Sequence, residues 1–248
     1  MSEYKKITLE SIEKKAFITE VVWLAVGIVC LAGMLAAVHS GATQNTDDAW
    51  MNWFYGIRRP GLTTLLTAIT YLGCWQAIVI VCLLFLMYKQ YIYTFGIPLS
   101  LGALLQVSIN KGLKLLMMRP RPDSSMWLVH EGGYSCPSGH ASVAFAVYLL
   151  LALLIIKYMQ PSATRKLCTI AIVTIAVAIG LSRVYLGVHY ISDVIAGQFE
   201  GLAIAMIVMI GYGWFVKKKN WKMARRVVPD PDSVNLKKIE AGKLKIHK

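Results

Sequence analysis

Residues 21–38 read VVWLAVGIVCLAGMLAAV, a run without a single charge. A helix needs about 20 apolar residues to cross a bilayer core, with a working range of roughly 17 to 25, so this stretch reads as a membrane span. Five further segments qualify or nearly qualify, at 62–88, 91–109, 141–156, 167–182 and 194–216. The second and third carry no charge. The fourth and fifth are slightly short and are expected to gain length from interfacial residues at their ends. The sixth holds one charge, Glu200. Pro98 is expected to bend the third span, which membranes tolerate where neighbours or water satisfy the freed carbonyl. The expected fold is therefore all-α, a polytopic membrane bundle of six transmembrane helices.

Composition agrees. Of 248 residues 56% are hydrophobic and 16% charged, whereas a soluble domain carries about a quarter charged residues. A water-soluble globule is excluded, and so are collagen-like, disordered and disulfide-stapled chains. Cys30, Cys74, Cys82 and Cys168 lie within apolar runs where no disulfide framework is expected, which leaves Cys136 as the thiol open to chemistry. The net charge of +13 flanks the apolar blocks, so lipid headgroups are the nearer anionic partner and nucleic acid is not expected.

The basic residues also orient the bundle. With six spans both termini share a side, and that side carries Lys5, Lys6, Lys14, Lys15, Lys89, Lys157, Arg165, Lys166, Lys217, Lys218, Lys219, Lys222, Arg225 and Arg226. The opposite side carries half as many: Arg58, Arg59, Lys111, Lys114, Arg119, Arg121 and Arg183. An excess of Lys and Arg marks the cytoplasm, so both termini are expected there, in a plasma membrane. The segment 1–20 mixes Glu3, Glu10, Glu13 and Glu20 with its lysines, unlike the n-region of a signal peptide, so the first span is expected to stay. Residues 21–216 form the expected membrane domain. The tail, 217–248, is basic without apolar periodicity and reads as a solvated or membrane-surface extension that meets anionic headgroups.

Ionisable groups inside or at the rim of a bundle are costly and mark function by default. Three clusters stand out: KLLMMRPRP at 114–122, Pro137-Ser138-Gly139-His140, and the stretch from Ser182-Arg183 to His189 and Asp193. They fall at the end of the third span, the start of the fourth and the junction of the fifth and sixth, and span parity puts all three at the extracytoplasmic edge. Lys114, Arg121 and Arg183 with a helix start at Ser138-Gly139 describe a phosphate pocket, because guanidinium forks and free helix N–H groups both suit phosphate oxygens. His189 and Asp193 are four apart, so on a helical turn the carboxylate can take the proton of one ring nitrogen and leave the other free to attack. His140 can then act as general acid.

In order and spacing, Lys114 with six residues before Arg121-Pro122, then Pro137 to His140, then Ser182-Arg183 with five residues before His189 and three before Asp193, resemble the three-part signature of the type 2 phosphatidic acid phosphatases. The resemblance implies that His189 attacks phosphorus, Asp193 orients it and His140 protonates the leaving oxygen. It further implies that Lys114, Arg121, Ser138, Gly139 and Arg183 hold the phosphate oxygens and that the reaction needs no metal and no cofactor. Substrates implied by small bacterial members are undecaprenyl pyrophosphate, phosphatidylglycerophosphate and phosphatidic acid, so the expected partner is a membrane lipid phosphate.

Other readings compete at individual residues. Lys114 and Arg121 taken alone could snorkel to headgroups, and Arg119, outside the signature, keeps that reading. A zinc site from His140, His189, Asp193, Glu131 and Cys136 is disfavoured by three neighbouring cations. Glu200, seven residues beyond Asp193, reads as a structural carboxylate bonded to a polar neighbour such as Gln106 or Ser108. His130 reads as a loop residue. The segment 47–60, with Trp50, Trp53, Phe54 and Tyr55, reads as a short interfacial helix. A protein that binds or moves lipid phosphates without turnover is the alternative from another class.

Overall fold

The computed structural model describes residues 3–218; of the basic tail at 217–248, everything from 219 onward lies outside the described residues. The described chain is all helix and loop. In order it forms α1 (Glu3–His39), α2 (Gln44–Gly56), α3 (Pro60–Tyr71), α4 (Trp75–Met87), α5 (Ile92–Met117), α6 (Gly139–Tyr158), α7 (Ala163–Tyr185) and α8 (Ile191–Lys218). Helices α1, α5, α6, α7 and α8 are each long and apolar enough to cross a membrane. The first runs unbroken from residue 3 through the expected boundary at residue 20.

The second expected span departs from a single rod. Residues 62–88 are uncharged throughout, yet α3 and α4 meet at a bend of 51°, so five helices qualify as spans and the count reaches six only with this pair taken as one broken span. A run without charge specifies burial in lipid but not straightness, and the break at Leu72-Gly73-Cys74 is held by Tyr148, whose hydroxyl donates to Leu72 O at 2.7 Å. The fourth and fifth spans are lengthened at their ends as expected. Pro98 lies directly after a π-turn over Ile92–Gly96, so the residue that cannot donate to the preceding turn follows a turn that is already widened. A second π-turn, Ala144–Leu149, interrupts α6 one turn below the site.

The core lies between α5, α6, α7 and α8, where Leu99, Val147, Leu150, Leu154, Ile179 and Met209 are buried. Helix α8 runs against α6 through Gly197 and Gly201, four residues apart. A Cβ on Gly197 would stand 2.5 Å from Ser138 O, and one on Gly201 would press on Ser142 O and stand 2.8 Å from Ala146 N. Small residues at this spacing let two helix backbones approach closely in a membrane, and here the approach carries the start of α6 to the start of α8. Helix α2 lies across the same end of the bundle, with Trp50 and Trp53 exposed and Phe54 buried against Tyr185, Leu186 and Val194.

Candidate active site

The polar residues converge through local devices that the sequence supplies. Helix α5 stops because Met118 takes a left-handed conformation (φ 45°) and donates its N–H to Lys114 O at 3.0 Å, and Pro120 then blocks a further turn. The chain turns back, and the loop 118–138 is stitched down by Ser135 N to Arg119 O at 2.9 Å and by Leu128 N to Leu186 O at 3.0 Å. Ser138 precedes α6, and its N–H donates to Asp193 O at 2.9 Å. That bond ties the second motif to the third.

Arg121 ties the first motif to the third. Its Nη1 donates to Val188 O at 2.8 Å and lies 3.1 Å from His189 Nε2, while Nε donates to Gly133 O at 2.9 Å. A guanidinium only donates, so Nε2 carries a lone pair and the ring proton sits on Nδ1. That nitrogen faces Asp193 Oδ2 at 3.5 Å and Ser135 Oγ at 3.3 Å, and Ser135 in turn donates to Asp193 Oδ2 at 2.5 Å. Lys114 Nζ donates to Tyr134 O. Arg183 is buried, donates to Thr70 Oγ1 at 2.9 Å and pairs with Glu131, whose other oxygen is 4.0 Å from Arg121. His140, the second residue of α6, has Nε2 at 3.5 Å from Cys74 Sγ.

Two sequence readings are corrected, and a third holds with a different partner. Arg119 does not snorkel: its Nη1 donates to Asp193 Oδ1 and its Nη2 to Asp47 Oδ2, each at 2.7 Å, and its guanidinium lies over the Tyr190 ring at 4.1 Å. Burial alone would lower the Arg119 pKa, but the Asp193 and Asp47 carboxylates outweigh it and hold it above its usual value. Two acceptors close at hand outcompete a distant headgroup. Cys136 is not open to chemistry, since it is fully buried beside Val38 and Ala196, and burial pushes its thiol up. Glu200 accepts from Asn110 Nδ2 at 2.8 Å instead of from Gln106 or Ser108, whose own bonds go to backbone carbonyls.

Sequence reasoning missed Ser135 and Asp47, both buried. An isolated serine in a loop carries no signal. The aspartate had one, because a carboxylate beside an aromatic interfacial helix is costly to bury unless it has a cationic partner.

His189 is held neutral. Burial is the main cause, the Asp193 hydrogen bond opposes it and Arg121 reinforces it, and the imidazole pKa falls to about 3. Below about 6.5, the ordinary imidazole value, the unfolded chain takes up a proton that folded His189 refuses. Its contribution to stability is thus complete above that pH and is lost as pH falls toward 3. The melting temperature of the wild type relative to a His189→Gln variant should fall between pH 7 and pH 4. Parallel curves for the two proteins would show that the ring is solvated.

Comparisons with known proteins identify the family and the fold. Residues 95–217, which contain all three motifs, match the family model of the PAP2 superfamily. Phosphatidylglycerophosphatase B of Bacillus subtilis is 36% identical over 180 residues, 71% of this chain and 87% of that protein. A lipid A 1-phosphatase of Rhizobium etli is 31% identical over 106 residues, 41% of each chain. The crystal structure of a transmembrane PAP2-type phosphatidylglycerolphosphate phosphatase from Bacillus subtilis superposes with a TM-score of 0.69 at 33% identity, over 80% of this chain and 98% of that one. Aquifex aeolicus LpxE, 23% identical, shares the fold with a TM-score of 0.53 over 64% of this chain and 92% of its own. An imidazole and several cations gathered at one end of a helical membrane bundle thus coincide with the matched segment, and the chain belongs to the PAP2 superfamily as a membrane phosphatase.

Proposed function

We propose that the protein hydrolyses the phosphomonoester or pyrophosphate headgroup of a membrane lipid through a phosphohistidine on His189, without a metal. The observation that carries this reading is the environment of His189. Its Nε2 lone pair meets Arg121, a natural phosphate ligand, while Nδ1–H meets Asp193 and Ser135. A phosphate oxygen that accepts from Arg121 brings phosphorus to Nε2. As the N–P bond forms and the P–O bond to the lipid breaks, His140 gives its proton to the departing oxygen. Water then attacks phosphorus, His140 takes its proton, and the N–P bond breaks to release phosphate and neutral His189.

Lys114, Arg121 and Arg183 together with Ser138 and the Gly139 backbone hold the oxygens on which charge grows. Ser138 Oγ and Arg183 Nε support this role, because both are buried without a protein partner, and a buried donor left unsatisfied costs about 1–3 kcal/mol. Glu131, paired with Arg183 and near Arg121, has to share these cations with the arriving phosphate.

The excess of Lys and Arg on the side of both termini supports a site at the outer leaflet with both termini in the cytoplasm, and 1–20 and the tail 217–248 would flank a phosphatase domain at 21–216. The tail would meet anionic headgroups there. Among undecaprenyl pyrophosphate, phosphatidylglycerophosphate and phosphatidic acid, the Bacillus subtilis relative favours phosphatidylglycerophosphate. Purified protein in EDTA, given the three lipids side by side, should release phosphate fastest from phosphatidylglycerophosphate and be inhibited by vanadate. Release only after a divalent metal is restored would overturn the mechanism. In sealed right-side-out vesicles, lipid added outside should be hydrolysed without permeabilisation, and hydrolysis only after permeabilisation would reverse the orientation.

A further inference from the structure

Arg119 falls on one of the unspecified positions between Lys114 and Arg121, and Asp47 lies outside all three motifs and outside the segment that matches the family model. Both nonetheless close on the catalytic carboxylate. Asp193 is held on each oxygen: Oδ1 accepts from Arg119, and Oδ2 accepts from Ser135 Oγ and from Tyr190 N at 3.0 Å. Behind Arg119, Asp47 Oδ2 accepts from Nη2 and from Ser192 Oγ at 2.6 Å, and its Oδ1 accepts from Ser192 N at 2.9 Å. Ser192 Oγ also accepts from Arg119 Nη1 at 2.7 Å, closing the cluster. Both carboxylates are wholly buried and the Arg119 side chain is 10% exposed.

We infer that Asp47 and Arg119 are positioning residues that extend the His189–Asp193 pair into a four-member relay reaching α2. Geometry supplies half of the argument, since one guanidinium bridges two carboxylates and fixes the plane of Asp193 against the His189 ring. Charge supplies the other half. Two carboxylates, one guanidinium and a neutral imidazole sum to minus one. When Nε2 bonds to phosphorus while Nδ1 keeps its proton, the ring becomes cationic and the sum is zero. With Asp47 neutralised the sum would start at zero and end at plus one in a buried site, where uncompensated charge is costly. Asp47 therefore leaves Asp193 one unit of negative charge for the step in which the ring becomes positive. The inference rests on the reading of His189 as nucleophile.

The test is steady-state kinetics of the full chain on phosphatidic acid in mixed micelles. Asp47→Asn and Arg119→Gln should each lower kcat about 10²-fold, the scale of a slightly misplaced catalytic group, with KM within about twofold. Combined, the two should cost little more than either alone, because both act through Asp193. Multiplying effects on kcat, or losses confined to KM or to melting temperature, would mean that Asp47 only fastens α2 and would overturn the relay. Where Asp47→Asn fails to fold, Ser192→Ala takes its place, since it removes the hydroxyl between Asp47 and Arg119 and leaves the backbone bond to Asp47. It should lower kcat several-fold at constant KM, and a wild-type kcat would equally overturn the relay. A His189→Ala control separates the failures. Release that survives it removes the nucleophile on which the relay depends, whereas release that dies with His189 but ignores Asp47 and Ser192 overturns the relay alone.

Discussion

His189→Ala should lose phosphate release by at least about 10³-fold, because a covalent route ends when its nucleophile is removed. The loss should fall on kcat. Lys114, Arg121 and Arg183 remain, so vanadate or substrate phosphate should still bind, and Arg121 Nη1, freed from His189 Nε2, keeps its bond to Val188 O. The variant should also fold, since alanine asks for no partner and removes a buried polar ring. Phosphate release and ligand binding, measured on the same preparation, separate three cases. An enzyme working through His189 binds without turnover in the variant. A lipid-binding or translocating protein shows no release in either form. Release that persists at more than about a tenth of wild type would assign the attack on phosphorus to water or to another side chain.

Gly201→Ala should be the most damaging single methyl group in the described structure. Its Cβ would press on Ser142 O and stand 2.5 Å from Phe145 Cβ and 2.8 Å from Ala146 N. Most of these atoms are α6 backbone, which cannot rotate out of the way, so α8 has to move. Overpacking of this kind costs roughly 1–3 kcal/mol and at times more. Function should suffer beyond stability, because the same helix contact carries the Ser138 N to Asp193 O bond, and a shift near 1 Å at a catalytic group costs about 10²-fold. Gly211 on the same helix is the control: a Cβ there meets nothing within 4 Å, so Gly211→Ala should match wild type in melting temperature and kcat/KM. Equal behaviour of the two variants would show that the α6–α8 contact tolerates separation.

Membrane embedding, the helical spans and the three polar motifs were legible in the linear sequence, since apolar runs and short fixed spacings are properties of neighbouring residues. An apolar run of bilayer length admits few structures besides a helix, because lipid offers the backbone no hydrogen bonds. His189 and Asp193 read as a pair because four residues make about one helical turn. The seam at Gly197 and Gly201 was legible in principle, being two glycines four apart in a span. Other features depended on which helix meets which. The 51° bend between α3 and α4 leaves no mark in a stretch that is uniformly uncharged. Arg119 is 72 residues from Asp47 and 74 from Asp193, so its conversion from a supposed headgroup anchor to a bridge between carboxylates required α2, α5 and α8 to end at one place. Cys136, polar by neighbourhood, is buried because its loop folds beneath α1 and α8. Hydropathy and spacing report each residue's own solvent and its nearest neighbours along the chain. The partners that a buried charge finds across the bundle are set by helix packing, and it is packing that decided that Arg119 bridges Asp47 and Asp193 while Arg121 meets His189.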